Sequence, residues 1–341
     1  RKPGFLTLIL ADTADKISLI KMNSEKSPFS LENVKINLHF LVSQLQNGAS
    51  GKGTGKLSMQ RLHLYQLGPW AYALSRKKEI LKRKFHDQIH QIHFAQTRSE
   101  TLLPVVVNRH NSLIRRKLGD VDQHLQENKA INLSLAAPKL THLLIQPGET
   151  FSFWHCVGEC TAEKGYREGL TISGNHPSSG IGGGMCQMTN LIHWMVLHSS
   201  LTIIEHHHHG RFDLFPDFGR QVPFGTGTSI VYNYLDYRVE NRTSDTFQLV
   251  IETNERYLCG ELRCDHPQPL KYHLYEQDSG FTWEKDGVYR HNIVRRKAIN
   301  KASGEVAFDQ ELIVNHAKVM YDPKLIDPAL FHDSGFGNQK Q

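Results

Sequence analysis

Gly180-Ile181-Gly182-Gly183-Gly184-Met185-Cys186-Gln187-Met188-Thr189-Asn190-Leu191-Ile192-His193-Trp194-Met195-Val196-Leu197 sets a run of glycines directly against a segment with helical apolar spacing. Glycine lets the backbone adopt φ > 0 and approach another group closely, so the window reads as a tight loop that opens a helix. Outward from it the two flanks differ in texture. On the N-terminal side Ile80, Leu81, Phe85, Ile89 and Ile92 recur at helical spacing, predicting a long amphipathic helix over about 71–96. A second helix is expected around 108–127, followed by 129–136. Still before the window, Pro147-Gly148 marks a turn and residues 150–154 alternate as a strand does; on the C-terminal side the texture is mostly β. Ser229-Ile230-Val231-Tyr232-Asn233-Tyr234 and Thr246-Phe247-Gln248-Leu249-Val250-Ile251-Glu252-Thr253 read as strands, with 241–245 as the loop between. The expected class is α+β: N-terminal helices, then a core with a mostly antiparallel sheet and a Gly-rich loop leading into a helix. The expected organisation is a tail over 1–58, a helical region over 59–137, a core domain over 138–264 and a hairpin-containing extension over 265–341.

Composition sets the outer bounds. At roughly 150 residues per domain, 341 residues make about two domains. With 39% apolar and 22% charged residues, the chain is neither disordered nor of low complexity. A net charge of +6 is too mild over this length to argue for nucleic acid as a partner. No run approaches the ~18 apolar residues of a membrane span. The stretch Phe5 to Ala11 after Arg1-Lys2 resembles a signal peptide, but it breaks at Asp12 with no small-residue cleavage site, so a cytoplasmic location is expected. Gly48-Ala49-Ser50-Gly51-Lys52-Gly53-Thr54-Gly55-Lys56 fails every placement of a phosphate-loop motif and reads as a linker. Nothing in the sequence demands a cofactor.

Chemistry concentrates in the opening window. Cys186 falls at a helix N-terminus, where unsatisfied N–H groups favour a thiolate; Gln187 and the amides of Gly182, Gly183 and Gly184 are candidate oxyanion donors. A buried structural cysteine in a tight turn explains the same residues equally well. A base for Cys186 is available in His206-His207-His208-His209, of which at most two can line one site if the segment is extended. His193 and His198 read as packing or surface residues, and His86, His90 and His93 as surface residues, because no carboxylate motif accompanies them. Five cysteines are an odd set, and neither Cys156-x3-Cys160 nor Cys259-x4-Cys264 has the usual zinc spacing, so no metal is assigned. The basic run Arg76-Lys77-Lys78-Glu79-Ile80-Leu81-Lys82-Arg83-Lys84 reads as a solvated helix face, with weak contact to an anionic membrane surface as the alternative.

Pro147-Gly148-Glu149-Thr150-Phe151-Ser152-Phe153-Trp154, Gly165-Tyr166-Arg167-Glu168-Gly169-Leu170, Gly182-Gly183-Gly184-Met185-Cys186-Gln187-Met188-Thr189-Asn190 and Leu197-His198-Ser199-Ser200-Leu201-Thr202-Ile203-Ile204 together resemble the VanW family. The resemblance is dense from about Glu149 to Thr253. It implies an accessory protein of glycopeptide resistance or cell-envelope biology, with no established reaction. Carried over, the family's glycine-cysteine-glutamine motif falls on Gly182, Gly183, Gly184, Cys186 and Gln187. Its Glu-Arg-x-x-His falls on Glu205 and His209, with His206 in place of the arginine, a loss that Arg211 could make good. Where many members carry an aspartate, Gly225-Thr226-Gly227-Thr228 stands, so no Cys-His-Asp triad is completed there.

Two functions follow as expectations. One is thiol-dependent hydrolysis or acyl transfer on a cell-wall peptide or precursor, with Cys186 as nucleophile, His209 as base and Gln187 as oxyanion donor. Gly182, Gly183, Gly184, Asn190 and Glu205 would then contact the substrate. The other is a non-catalytic binding module for cell-wall peptides or a protein partner, in which Cys186 merely packs.

Overall fold

A computed structural model describes residues 69–116, 122–173, 176–208, 211–216 and 221–332; the expected tail over 1–58 and His209 lie outside the described residues. By internal contacts the chain divides into Arg1–Leu62 and His63–Gln341, and the described residues all belong to the second unit. It opens with α1 (Pro69–Ile89), β1 (Val105–Leu113), α2 (Gln123–Ala136), β2 (Leu143–Ile145), β3 (Thr150–Ser152) and α3 (Phe153–Val157). The hairpin β4 (Glu168–Ser173) and β5 (His176–Ile181) leads to α4 (Met185–Leu197), then β6 (Thr202–Glu205), β7 (Phe212–Asp213) and β8 (Arg238–Glu240). Five longer strands follow: β9 (Phe247–Thr253), β10 (Tyr257–Cys264), β11 (Leu270–Glu284), β12 (Gly287–Asn300) and β13 (Val306–Val319). The class is α+β, as the sequence predicts.

Phe247 to Ile251 is almost wholly apolar, and this run is buried as the centre of a four-stranded antiparallel sheet ordered β1-β10-β9-β2. Its polar member, Gln248, is buried because its amide donates to Ser99 O and Thr101 O while its oxygen accepts from Leu103 N. On β10 every second residue is buried, and at Gly260 a Cβ would lie 2.7 Å from Leu191 Cδ2 and 2.8 Å from Met195 Cε. The glycine therefore lets α4 lie directly on the sheet. Met188, Leu191, Ile192 and Met195 of α4 join Leu133, Phe151, Leu258 and Leu262 in one core. Each such side chain contributes about 1.5–3 kcal/mol by leaving water.

A three-stranded sheet ordered β3-β8-β6 flanks this core. The long strands β11, β12 and β13 form an antiparallel ribbon, joined by β7 running parallel to β13. The ribbon has a small core of its own, Phe281, Val288, Val319 and Ile326. Among the described residues no helix is long and apolar enough to cross a membrane.

Two local expectations are corrected. The helix expected around 108–127 is instead β1 up to Leu113, and helix resumes only at Gln123, capped by Asp122 Oδ1 accepting from His124 N at 2.9 Å. The β-branched Val105, Val106 and Val107 favour the strand, and pairing with β10, some 150 residues later, fixes it. The strand expected over 229–234 is a turn closed by Leu235 N donating to Val231 O, with Asn233 at φ +44°.

Helix α1 is present, but its apolar stripe faces outward. Leu74, Leu81, Phe85 and Ile89 are 56, 66, 65 and 59% exposed, while Arg83 and Asp87 turn inward into ion pairs. Charge pairing docks this helix. His86, His90 and His93 lie at the surface, His90 stacked on His86 at 4.0 Å. In β1 and α2 the region 59–137 supplies both an edge strand and a helix to the same core as the residues after it.

Candidate functional site

The β4–β5 hairpin delivers the glycine loop to α4, and the loop is clamped from three sides. Gly183 crosses Gly169 so closely that a Cβ on it would lie 2.2 Å from that residue's carbonyl carbon and oxygen. Gly182 takes φ +77° against Cys160, and Gly184, at φ +102°, begins the helix with no side-chain cap. Asn132 of α2 completes the clamp: its amide donates to Gly183 O and Arg167 O at 2.9 Å each, and its oxygen accepts from Arg167 N at 2.7 Å. Both N–H groups and the oxygen of this buried amide are thereby engaged.

Cys186 occupies the second position of α4. Its side chain is half-buried, and burial pushes the thiol up, against the smaller opposing effects of hydrogen bonds from Ile230 N–H and its own N–H. The helix terminus acts in the expected direction, but desolvation outweighs it. Gln187 spends both amide protons on β1, donating to Ser112 Oγ at 2.9 Å and Leu113 O at 2.8 Å. Asn190 Oδ1 accepts from Thr228 N at 2.6 Å and Thr228 Oγ1 at 2.8 Å, and the Thr228 and Thr189 hydroxyls share a short hydrogen bond. The segment 224–230 thus lies over the face of α4 that carries Cys186. Its other end is anchored in the ribbon, where Asn292 and Asn315 both donate to Phe224 O at 3.0 Å.

Glu205, expected beside Cys186, belongs to a different cluster. It accepts from the Arg83 guanidinium at 2.5 and 2.7 Å, from Asp236 N at 2.8 Å and from His207 Nε2 at 3.0 Å. Burial pushes this carboxyl up, but Arg83, the Asp236 N–H and His207 together outweigh it and hold it below the usual range. Beside it, Asp236 accepts from Ser152 Oγ, Trp154 N, Tyr237 N and Arg238 Nε at 2.6–3.1 Å. Arg238 extends the chain of charges with a bidentate pair to Asp87 at 2.7 and 2.8 Å.

Asp87, Ser152 and Arg238 of this network line a cleft of about 490 Å³ between α1 and the core, walled by Lys84, Gln91, Trp154, His155 and Tyr232. Asn132, Asp236 and Arg238 escape a reading of the sequence because their partners are distant in the chain. The one available signal is the polar pair Asp236 and Arg238 flanking Tyr237 at the two-residue spacing of a buried strand.

Two turns along α4 from Cys186, His193 stacks on His206 at 4.3 Å, which stacks in turn toward His208 at 6.0 Å. His193 Nδ1 meets the Tyr237 hydroxyl at 3.1 Å, and its Nε2 is buried without a partner. Burial pushes His193 well below its ordinary value, with neighbouring His206 and His208 adding to it, and burial likewise lowers His206 and His208. A base depressed in the fold is neutral there, whereas the unfolded chain takes up the proton below about pH 6.5. Stability is therefore complete above that pH and falls as the solution is acidified. Urea titrations between pH 7.5 and 5 are expected to show this loss, and His193→Phe to flatten the slope by up to ~1.4 kcal/mol per pH unit, one proton's worth.

The family described as VanW like protein matches residues 128–263, from inside α2 to the end of β10. Over 235 residues, 69% of this chain and 85% of the other, the sequence is 32% identical to the vancomycin B-type resistance protein VanW of Enterococcus faecalis (strain ATCC 700802 / V583). The chain belongs to the VanW-like family. A shorter match, 30% identical over 116 residues, covers 34% of this chain and 36% of the uncharacterised protein YoaR of Bacillus subtilis (strain 168). No solved structure matches. The span matched by the VanW-like family contains the glycine loop, Cys186, Glu205 and Arg238, and leaves out α1 with Arg83 and Asp87.

Proposed function

We propose that this chain is a binding module for a cell-wall peptide or peptidoglycan precursor, acting as an accessory in glycopeptide resistance as the name of its Enterococcus relative suggests. One observation carries the reading: the thiol and the side-chain amide that a thiol enzyme would use here are already committed. The Cys186 sulfur is desolvated and takes the Ile230 N–H, and the Gln187 amide is spent on β1. Iodoacetamide labelling at pH 7, mapped by mass spectrometry, is expected to modify Cys186 at least tenfold more slowly than a free thiol. Cys186→Ala is expected to keep the vancomycin phenotype of the wild type. Rapid labelling together with loss of phenotype in Cys186→Ala overturns the reading in favour of thiol catalysis with His209 as base.

The outward stripe of α1 supports a membrane-surface location for this module. Lys77 and Lys84 flank Leu74, Leu81, Phe85 and Ile89 on one side of the helix and Lys82 on the other, with Lys78 interrupting the stripe, so apolar groups can enter an interface while amines meet anionic headgroups. Co-sedimentation with phosphatidylglycerol vesicles is expected, with loss of binding in Leu81→Glu/Phe85→Glu and with pure phosphatidylcholine. Equal sedimentation with both lipids rules this location out.

A further inference from the structure

Beside the glycine loop lie two side-chain donors, on Lys129 and Gln126, that have no acceptor among the described residues. Lys129 is only 6% exposed, and its methylenes pack flat on Gly184, where a Cβ would meet its Cγ at 2.2 Å and its Cδ at 2.9 Å. Among the described residues its amine has neither a hydrogen bond nor an ion pair, and the charges that act on it are the cations Arg116 and Arg115. Arg115 is itself committed to Glu127 through two bonds of 2.7 Å.

One helical turn earlier on the same face of α2, Gln126 is 1% exposed. Its oxygen accepts from Arg116 N at 3.4 Å, while its Nε2 is buried with no partner among the described residues. The helix that begins at Gly184 has no side-chain cap; Gln187 N donates to Gly184 O and the Cys186 N–H to its own thiol, so the Met185 N–H is the first-turn amide it adds. Leaving a donor such as Gln126 Nε2 unpaired out of water costs about 1–3 kcal/mol, and native folds rarely tolerate it without a ligand.

We propose that Lys129, Gln126 and the first turn of α4 form a binding site for a small carboxylate, such as the free C-terminus of a peptide. The carboxylate accepts from the Lys129 ammonium and the Gln126 amide, and its charge offsets the surrounding cations. Burial, followed by Arg116 and Arg115, lowers the empty site's amine to about 7, so binding at neutral pH draws a proton onto it. Affinity for a carboxylate therefore falls about tenfold per unit as pH rises beyond 7. This site names the ligand class for the binding reading above and rests on it.

The probe is N-acetylglycine, with its neutral amide N-acetylglycinamide as control, titrated calorimetrically into the full chain at pH 6.5 and 8.5. Binding of the acid but not the amide is expected, at least tenfold weaker at the higher pH and at least tenfold weaker in Lys129→Met. That variant keeps the stem against Gly184 and loses the desolvated amine, so its melting temperature should not fall. Equal binding of acid and amide, no heat up to 10 mM acid, or unchanged binding by Lys129→Met overturns the proposal.

Should Lys129→Met fail to fold, Gln126→Glu supplies an internal carboxylate: loss of acid binding with an amine titrating above 10 by ¹³C shifts supports the site, and an unmoved amine overturns it. A reactive Cys186 with acid binding that depends on Lys129 would sink the non-catalytic reading and leave the site standing. An inert Cys186 with no acid binding does the reverse.

Discussion

Gly183→Ala is expected to cost about 3 kcal/mol of folding stability, the upper end of the usual range for overpacking. The reason lies in what the added methyl meets. At 2.2 Å from the carbonyl group of Gly169 it strikes backbone, which has no rotamer to move into. The loop cannot back away either, because Asn132 holds the Gly183 carbonyl from the other side. Gly148→Ala is the fitting control: it adds the same methyl at φ +79° with nothing within 4 Å, so only the left-handed backbone penalty of ~1–2 kcal/mol applies. Urea midpoints of the two variants separate the effects. A Gly183→Ala protein no less stable than Gly148→Ala would mean that the two strands do not cross this closely.

The second large effect is expected from Arg238→Leu. Arg238 is buried between Asp87 and the fully buried Asp236, and its removal leaves two carboxylates without their shared cation. Breaking one side of a buried pair typically costs ~3–5 kcal/mol, because the surviving charge has lost its solvent and its partner together. The loss should fall when Asp87→Asn is made in the same molecule, since one stranded charge is then gone; a double-mutant cycle reads this coupling. Hydrogen exchange should locate part of the damage in α1, which is docked through Arg83 and Asp87. Additive single and double variants would show that the guanidinium does not bridge the two acids.

The elements legible in the sequence are those whose cause is local. The apolar run Phe247 to Ile251 has to be buried on both faces, and the glycines before Met185 have to make a turn, whatever surrounds them. β1 is not legible because Val105 to Leu113 mixes valines with Arg109 and His110, and only pairing with β10 decides it. Its charged positions are those an edge strand can expose.

The site divides in the same way. Cys186 and Gln187 stand out by motif, but what they touch, Ile230 and Ser112, is set by chain that is not adjacent in sequence. The partners of Glu205 are still harder to foresee, since Arg83 lies 122 residues earlier. Lys129 and Asn132 look like ordinary polar positions of a helix until the hairpin of Gly169 and Gly183 closes over them.

The shared carbonyl of Phe224 sets a lower limit on how much chain makes a working unit. Asn292 and Asn315 hold it from β12 and β13, and from Phe224 the chain runs on to Thr228 and Ile230, which cover Asn190 and Cys186. The stretch that matches the VanW-like family description ends at residue 263, before either asparagine. A fragment cut there would keep the motif and lose the clasp that seats its cover, so expression boundaries for ligand studies belong beyond β13.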